Sequence, residues 1–335
     1  MNAPSPATRA QWHARLFPHG IPALWCPLLT HYRDDGSLDR ERITAHLRHL
    51  APHVKGFLIP GSTGDGWEMS DAEIRELLGF IAPEIQRLGL HLLVGVLKTD
   101  AAEAQRIVRE TAAALRDDAV GFTVCPPKGK DLSQEVIRSA LAEVLALGRP
   151  TALYQLPQVT QNEMSPATIA DLAARFPNFI LFKDTSGADR VASAGQDVGD
   201  VFLVRGAEGD YARWLKAGGG PYDGFLLSTA NCFGRELLEV ITLANAGRPG
   251  EAQSLAERLS AVVKEVFALV ASVPDGNAFA NANKAMDHFF AHGPRAARVL
   301  PPRLHASSRL PGKVIRATGA ALERHGFLPT RGYLE

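Results

Sequence analysis

Eight short, almost wholly apolar runs, at 23–29, 56–60, 91–97, 120–125, 151–156, 179–183, 201–205 and 224–228, recur through the first two thirds of the chain. Their length suits strands, and their lack of polar alternation points to burial on both faces, the environment of a parallel sheet. The stretches between them have helix length and helix punctuation. Ser70, Asp71, Ala72 and Glu73 make a capping box, with Ser70 placed to cap and Glu73 to reach back. Ser165 precedes Pro166 at a helix start, and Ser133 opens a helix that Gly148 and Pro150 stop. Eight such units in roughly 210 residues fit an α/β chain closed into a (β/α)8 TIM barrel. A doubly wound open sheet is the alternative, but no G-x-G-x-x-G turn follows the first run.

Beyond Asn231 the strand pattern stops, and helices are expected at 235–246, 251–270, 278–292 and 313–325. The expected organisation is an N-terminal extension over 1–20, a barrel catalytic domain over 21–234 and a C-terminal helical extension over 235–335. The 36 basic residues balance 36 acidic ones, so bulk charge favours neither a nucleic acid nor a membrane surface as partner. A small molecule fits better. No run approaches the ~20 apolar residues of a membrane span. Residues 1–20 lack the apolar core of a signal peptide, so the expected location is cytoplasmic. Cys26, Cys125 and Cys232 are far apart and form no C-x-x-C pair. They signal neither a disulfide framework nor a zinc site, and buried structural thiols are expected.

In a barrel the reactive groups sit at the C-terminal ends of strands and in the loops that follow. Three local sequences there stand out. Gly61, Ser62, Thr63, Gly64 and Asp65 follow the second run. Two glycines permit a tight turn with inward N–H groups, and two hydroxyls add donors, a set that suits a carboxylate. Tyr154 closes the fifth run, where its hydroxyl can relay protons or its ring can simply plug the barrel mouth. Lys183 closes the sixth run, directly after Phe179, Ile180, Leu181 and Phe182. An ammonium buried there is costly; desolvation lowers a lysine pKa from ~10.4 toward ~7–8 and frees a nucleophilic amine. An ion pair with Asp184 is the structural alternative. Taken together, the turn can hold one end of a 2-oxo acid while Lys183 attacks the adjacent ketone and Tyr154 shuttles the proton.

With these residues in order, the chain resembles the dihydrodipicolinate synthase / N-acetylneuraminate lyase family of class I, pyruvate-dependent aldolases. The resemblance rests on Gly61 to Asp65, Tyr154 with Pro157, Lys183-Asp184 with Ser186-Gly187, Gly206, and Ser228 with Asn231. It implies a barrel with a C-terminal helical extension, assembled as a homo-tetramer or homodimer, and no metal or organic cofactor. It also implies Lys183 as the Schiff-base lysine, Tyr154 as the proton relay, and Gly61, Ser62 and Thr63 as carboxylate-binding residues. The chain departs from the family at several points. Asp65 stands where Glu is usual, followed by Gly66, Trp67 and Glu68, and Gln155 stands where Asn is usual. No tyrosine appears in the segment from Cys125 to Gly129, and Gln158, Val159 and Thr160 replace a segment with an arginine that grips a second carboxylate.

The leading expectation is therefore a lyase acting on pyruvate or a 2-keto-3-deoxy sugar acid. By resemblance to the sugar-acid lyases, Gly206, Glu208 and Ser228 line the part of the site beyond the pyruvate unit, unless Glu208 merely pairs with Arg205 or Arg213. A sugar-acid dehydratase, dihydrodipicolinate synthase itself, and a silent 2-oxo-acid-binding member are the alternatives.

Overall fold

Apolar runs with no wet face can be satisfied only where both faces of a sheet are covered, and that is where they lie. The computed structural model describes residues 7–115 and 120–335. Its strands are β1 (Leu24–Pro27), β2 (Gly56–Ile59), β3 (His91–Val96), β4 (Gly121–Val124), β5 (Thr151–Gln155), β6 (Phe179–Asp184), β7 (Phe202–Arg205) and β8 (Gly224–Leu226). They form a closed barrel in sequence order. The TIM barrel expected from the eight runs is thus the fold. Seven strands end inside their runs, whereas β6 continues one residue further, through Lys183 to Asp184.

The helix signals act as their chemistry requires. Ser70 caps Asp71–Arg87 in a full capping box, Ser133 caps Gln134–Leu145, and Ser165 caps Pro166–Arg175. Four longer helices follow β8: Ala230–Asn245, Pro249–Val270, Ala278–His292 and Gly312–Arg324. The first begins five residues earlier than its pattern suggested and carries a non-helical residue, Phe233, inside it. Of the N-terminal extension, residues 1–6 lie outside the described residues. Its helix Arg9–Leu16 is tied to β6, with Arg9 Nε donating to the Phe179 carbonyl at 2.7 Å.

The chain divides into two compact units. One contains His91–Ala207 and Pro221–Phe225, with the N-terminal helix; the other contains Leu24–Leu90, Glu208–Gly220 and Leu226–Glu335. The second unit is organised around Asp287, whose side chain is fully buried. Arg42 Nη2 donates to Asp287 Oδ2 at 2.8 Å, and the Tyr333 hydroxyl donates to Oδ1 at 3.0 Å. His46 Nε2 lies 2.8 Å from the Asn231 carbonyl and so carries a proton there. That tautomer leaves His46 Nδ1 to accept from His31 Nε2, 3.2 Å away. Burial, reinforced by Arg42, pushes His31 well below the ordinary histidine value. Burial by itself would raise the Asp287 carboxyl, but His46, Arg42 and His31 hold it below the usual carboxylate range.

These groups make stability depend on pH. The unfolded chain takes up a proton on His31 below ~6.5, whereas the folded chain refuses it, so stability falls as pH drops through that value. His292, pushed down to about 4 chiefly by burial, adds to the loss over the same window. Urea unfolding between pH 8 and 5 is expected to follow this decline; a flat profile would contradict it. Asp287→Asn leaves the Arg42 guanidinium buried beside a neutral amide and is expected to cost about 3–5 kcal/mol.

Candidate active site

Two neighbouring strands end on the pair that the sequence singled out. Tyr154 and Lys183 are register partners across β5 and β6. Both are buried, and Lys183 Nζ stands 3.9 Å from the centroid of the Tyr154 ring. Consecutive strand residues face opposite ways, so Asp184 turns away from Lys183. Its Oδ1 accepts from the Ser186 N–H at 2.8 Å, while burial raises its carboxyl above the ordinary value. Beside the lysine stem, Gly206 is required by space. A Cβ there would meet Thr185 Oγ1 at 2.2 Å and Lys183 Cε at 2.9 Å.

The loops around this pair are fixed by hydrogen bonds within the same unit. Gln155, in place of the usual Asn, accepts from the Met164 N–H at 2.7 Å through Oε1. Gln158 Nε2 donates to the Thr185 carbonyl at 3.2 Å. The segment after β4, which lacks a tyrosine, is held by Asn162, whose Nδ2 donates to the carbonyls of Pro127 and Gly129. Arg205 makes a two-pronged contact with Asp189, which also accepts from the Tyr222 hydroxyl at 2.7 Å. Arg213 lies 3.7 Å from Asp210.

The other residues singled out belong to the second unit. The turn after β2 is a short 3-10 helix, Ser62–Gly64, ended by Asp65 in the left-handed region at φ 59°. Gly64 has no room for a side chain, since a Cβ would meet the Leu28 carbonyl oxygen at 2.3 Å. Ser62 and Thr63 are both buried. Asp65 forms a buried ion pair with Lys284 at 2.5 Å, and Asn277 Nδ2 donates to the Ser62 carbonyl at 3.1 Å. Trp67 Nε1 donates to Ser62 Oγ at 2.8 Å. Glu208 and Ser228 bind each other, with Ser228 Oγ donating to Oε1 at 2.6 Å. The Thr229 N–H and hydroxyl and the Tyr211 hydroxyl supply three further donors. Four donors match the roughly four lone-pair sites of a carboxylate. Glu208 therefore positions Ser228 and Thr229 and has little acceptor capacity left for anything else.

Sequence reasoning missed Lys284, Asn277 and Tyr211, and it named Thr229 only as part of the segment after β8. Lys284 and Asn277 take their roles from partners distant in the chain, whereas Tyr211 reaches Glu208 only three residues away.

Residues 22–279 match the model of the dihydrodipicolinate synthetase family. The chain belongs to this family. Among curated relatives, the 4-hydroxy-tetrahydrodipicolinate synthase of Streptococcus uberis is 25% identical over 252 residues, covering 74% of this chain and 79% of the relative. The solved dihydrodipicolinate synthase of Thermotoga maritima matches with a TM-score of 0.75 at 18% identity, over 92% of this chain and 99% of that one. YagE, a prophage protein of the same family from E. coli K12 solved in complex with pyruvate, gives 0.74 at 19% identity over 92% and 99%. At these identities the solved structures speak for the fold. Family membership makes the protein an enzyme of the class I, pyruvate-dependent lyase type. Among the described residues, no helix is long and apolar enough to cross a membrane.

The thiols give a test that is independent of any substrate. Cys26, Cys125 and Cys232 are all buried. Burial pushes the Cys125 thiol up to about 12, although Lys183 works in the other direction. A thiol-disulfide reagent at pH 8 is expected to titrate none of the three in the folded protein and all three in urea. Rapid native labelling of Cys125 would make it a candidate nucleophile.

Proposed function

We propose that this enzyme forms a Schiff base between Lys183 and the ketone of a 2-keto-3-deoxy sugar acid and releases pyruvate from it. The observation that carries the reading is the buried pair at the ends of β5 and β6, with Lys183 Nζ 3.9 Å from the Tyr154 ring. The neutral amine adds to the ketone carbon, and loss of water gives a protonated imine. The C4 hydroxyl then gives its proton to the Tyr154 relay as the C3–C4 bond breaks. An aldehyde departs, and the electron pair is held as an enamine. Protonation at C3 and addition of water return pyruvate and the free lysine. The turn of Gly61, Ser62 and Thr63 receives the substrate carboxylate.

The region beyond the pyruvate unit supports a hydroxylated tail. Ser228 has committed its proton to Glu208, which leaves its oxygen to accept from a hydroxyl. The half-buried carboxylate of Glu208 opposes a second anionic group. Assembly as a homodimer or homotetramer belongs to the same reading through the family resemblance. A second reading, condensation of pyruvate with aspartate semialdehyde, is favoured by the naming of curated relatives. Against it stand Gln158, tied to the Thr185 carbonyl where the resemblance calls for an arginine, and the missing tyrosine after β4.

Pyruvate release from a panel of 2-keto-3-deoxy sugar acids tests the proposal. Wild type is expected to release it and Lys183→Ala is not. Tyr154→Phe keeps the ring and is expected to lower kcat by ~10²–10⁴-fold while the protein stays folded. An unchanged kcat would make Tyr154 a packing residue. Loss of water without pyruvate would make the enzyme a dehydratase, and efficient condensation with aspartate semialdehyde would favour the second reading.

A further inference from the structure

Trp67 lies just beyond the proposed carboxylate turn, and its indole N–H reaches back to Ser62 Oγ at 2.8 Å. An indole nitrogen can only donate, whereas a serine hydroxyl can donate one hydrogen bond and accept two. With one acceptor position taken by Trp67, the Ser62 proton is turned away from the indole. Ser62 Oγ makes no other hydrogen bond among the described residues, so that proton has no protein acceptor there. Ser62 is buried, and an oriented donor is worth more in such a place than in water.

The surrounding contacts keep the residue from adjusting. Asn277 holds the Ser62 carbonyl and also caps the helix Ala278–His292, through Oδ1 accepting from the Ala280 N–H at 2.9 Å. Lys284, on that helix, fixes the far end of the turn through Asp65. The Thr30 hydroxyl holds the Gly64 carbonyl at 2.7 Å. Backbone and side chain of the turn are thus set from opposite sides.

We propose that Trp67 is a positioning residue that commits the Ser62 hydroxyl to donating, so that the turn selects an ionised carboxylate. The proposal rests on the reading that this turn receives the carboxylate of a 2-oxo acid. A carboxylate accepts on both oxygens, whereas the amide of pyruvamide presents a donor in place of one of them. With its proton turned to the ligand and one of its two acceptor positions held by Trp67, Ser62 favours the carboxylate over the amide. A serine released from Trp67 could accept from the amide, and the discrimination would shrink.

The test compares pyruvate with pyruvamide in borohydride inactivation, read as the half-saturating concentration of each. Trp67→Phe keeps an aromatic ring and removes the N–H. It is expected to raise the value for pyruvate by ~3- to 10-fold, the equivalent of about one hydrogen bond. The value for pyruvamide is expected to rise less, so their ratio narrows. In a Ser62→Ala background, Trp67→Phe is expected to change nothing further, because the bond is already gone. Ser62→Ala alone is expected to narrow the ratio as well, which tests the same bond should Trp67→Phe fail to fold. An unchanged ratio in either single variant, or independent additive effects, would overturn the role of Trp67 while leaving imine formation standing. Failure of wild type to react with pyruvate at all would overturn the underlying reading and this proposal with it.

Discussion

Carrying an ammonium to the end of an otherwise apolar strand is the constraint to which the neighbouring residues respond. Burying such a charge is costly unless the surroundings compensate. β6 supplies four apolar residues, Phe179 to Phe182, before Lys183, and the barrel covers both faces of the strand. The Tyr154 ring, placed by parallel register, provides a π face to the ammonium. Gly206 leaves the lysine stem its path, and Asp184 is directed away to the Ser186 N–H. The result is an amine held in one place by packing and register.

Charge is handled differently elsewhere. Asp287 with Arg42, Asp65 with Lys284, and Asp189 with Arg205 are three buried pairs, each within one compact unit. A buried pair adds little net stability compared with well-packed apolar side chains, but losing one partner is expensive. Such pairs are better read as fixing geometry. Asp65 holds the turn after β2, and Asp189 holds the loop after β6.

The barrel was legible because burial on both faces leaves a strictly local mark, an apolar run with no alternation. Lys183 and Tyr154 were legible for the converse reason, since a polar group closing such a run breaks the pattern. Partnerships were not legible in this way. The donors to Glu208 include Tyr211, Ser228 and Thr229, the last two brought in by the fold. Lys284 lies in a helix whose sequence would suit an exposed lysine, and its partner Asp65 is 219 residues away. Arg42, His46, Asp287 and Tyr333 meet only because the C-terminal helices return to the helix Arg40–Leu50. Local pattern reports which side is buried; it carries no information on which distant group will be found there.

The central claim is that Lys183, among all the lysines of the chain, is the amine that reacts with a ketone. Peptide mass mapping after treatment with pyruvate and borohydride tests this directly, because reduction turns a transient imine into a stable secondary amine. The expected result is a single reduced pyruvyl group on the peptide containing Lys183, absent when borohydride or pyruvate is omitted. An adduct on Lys284 or Lys128 in place of Lys183, or no adduct at all, would contradict it.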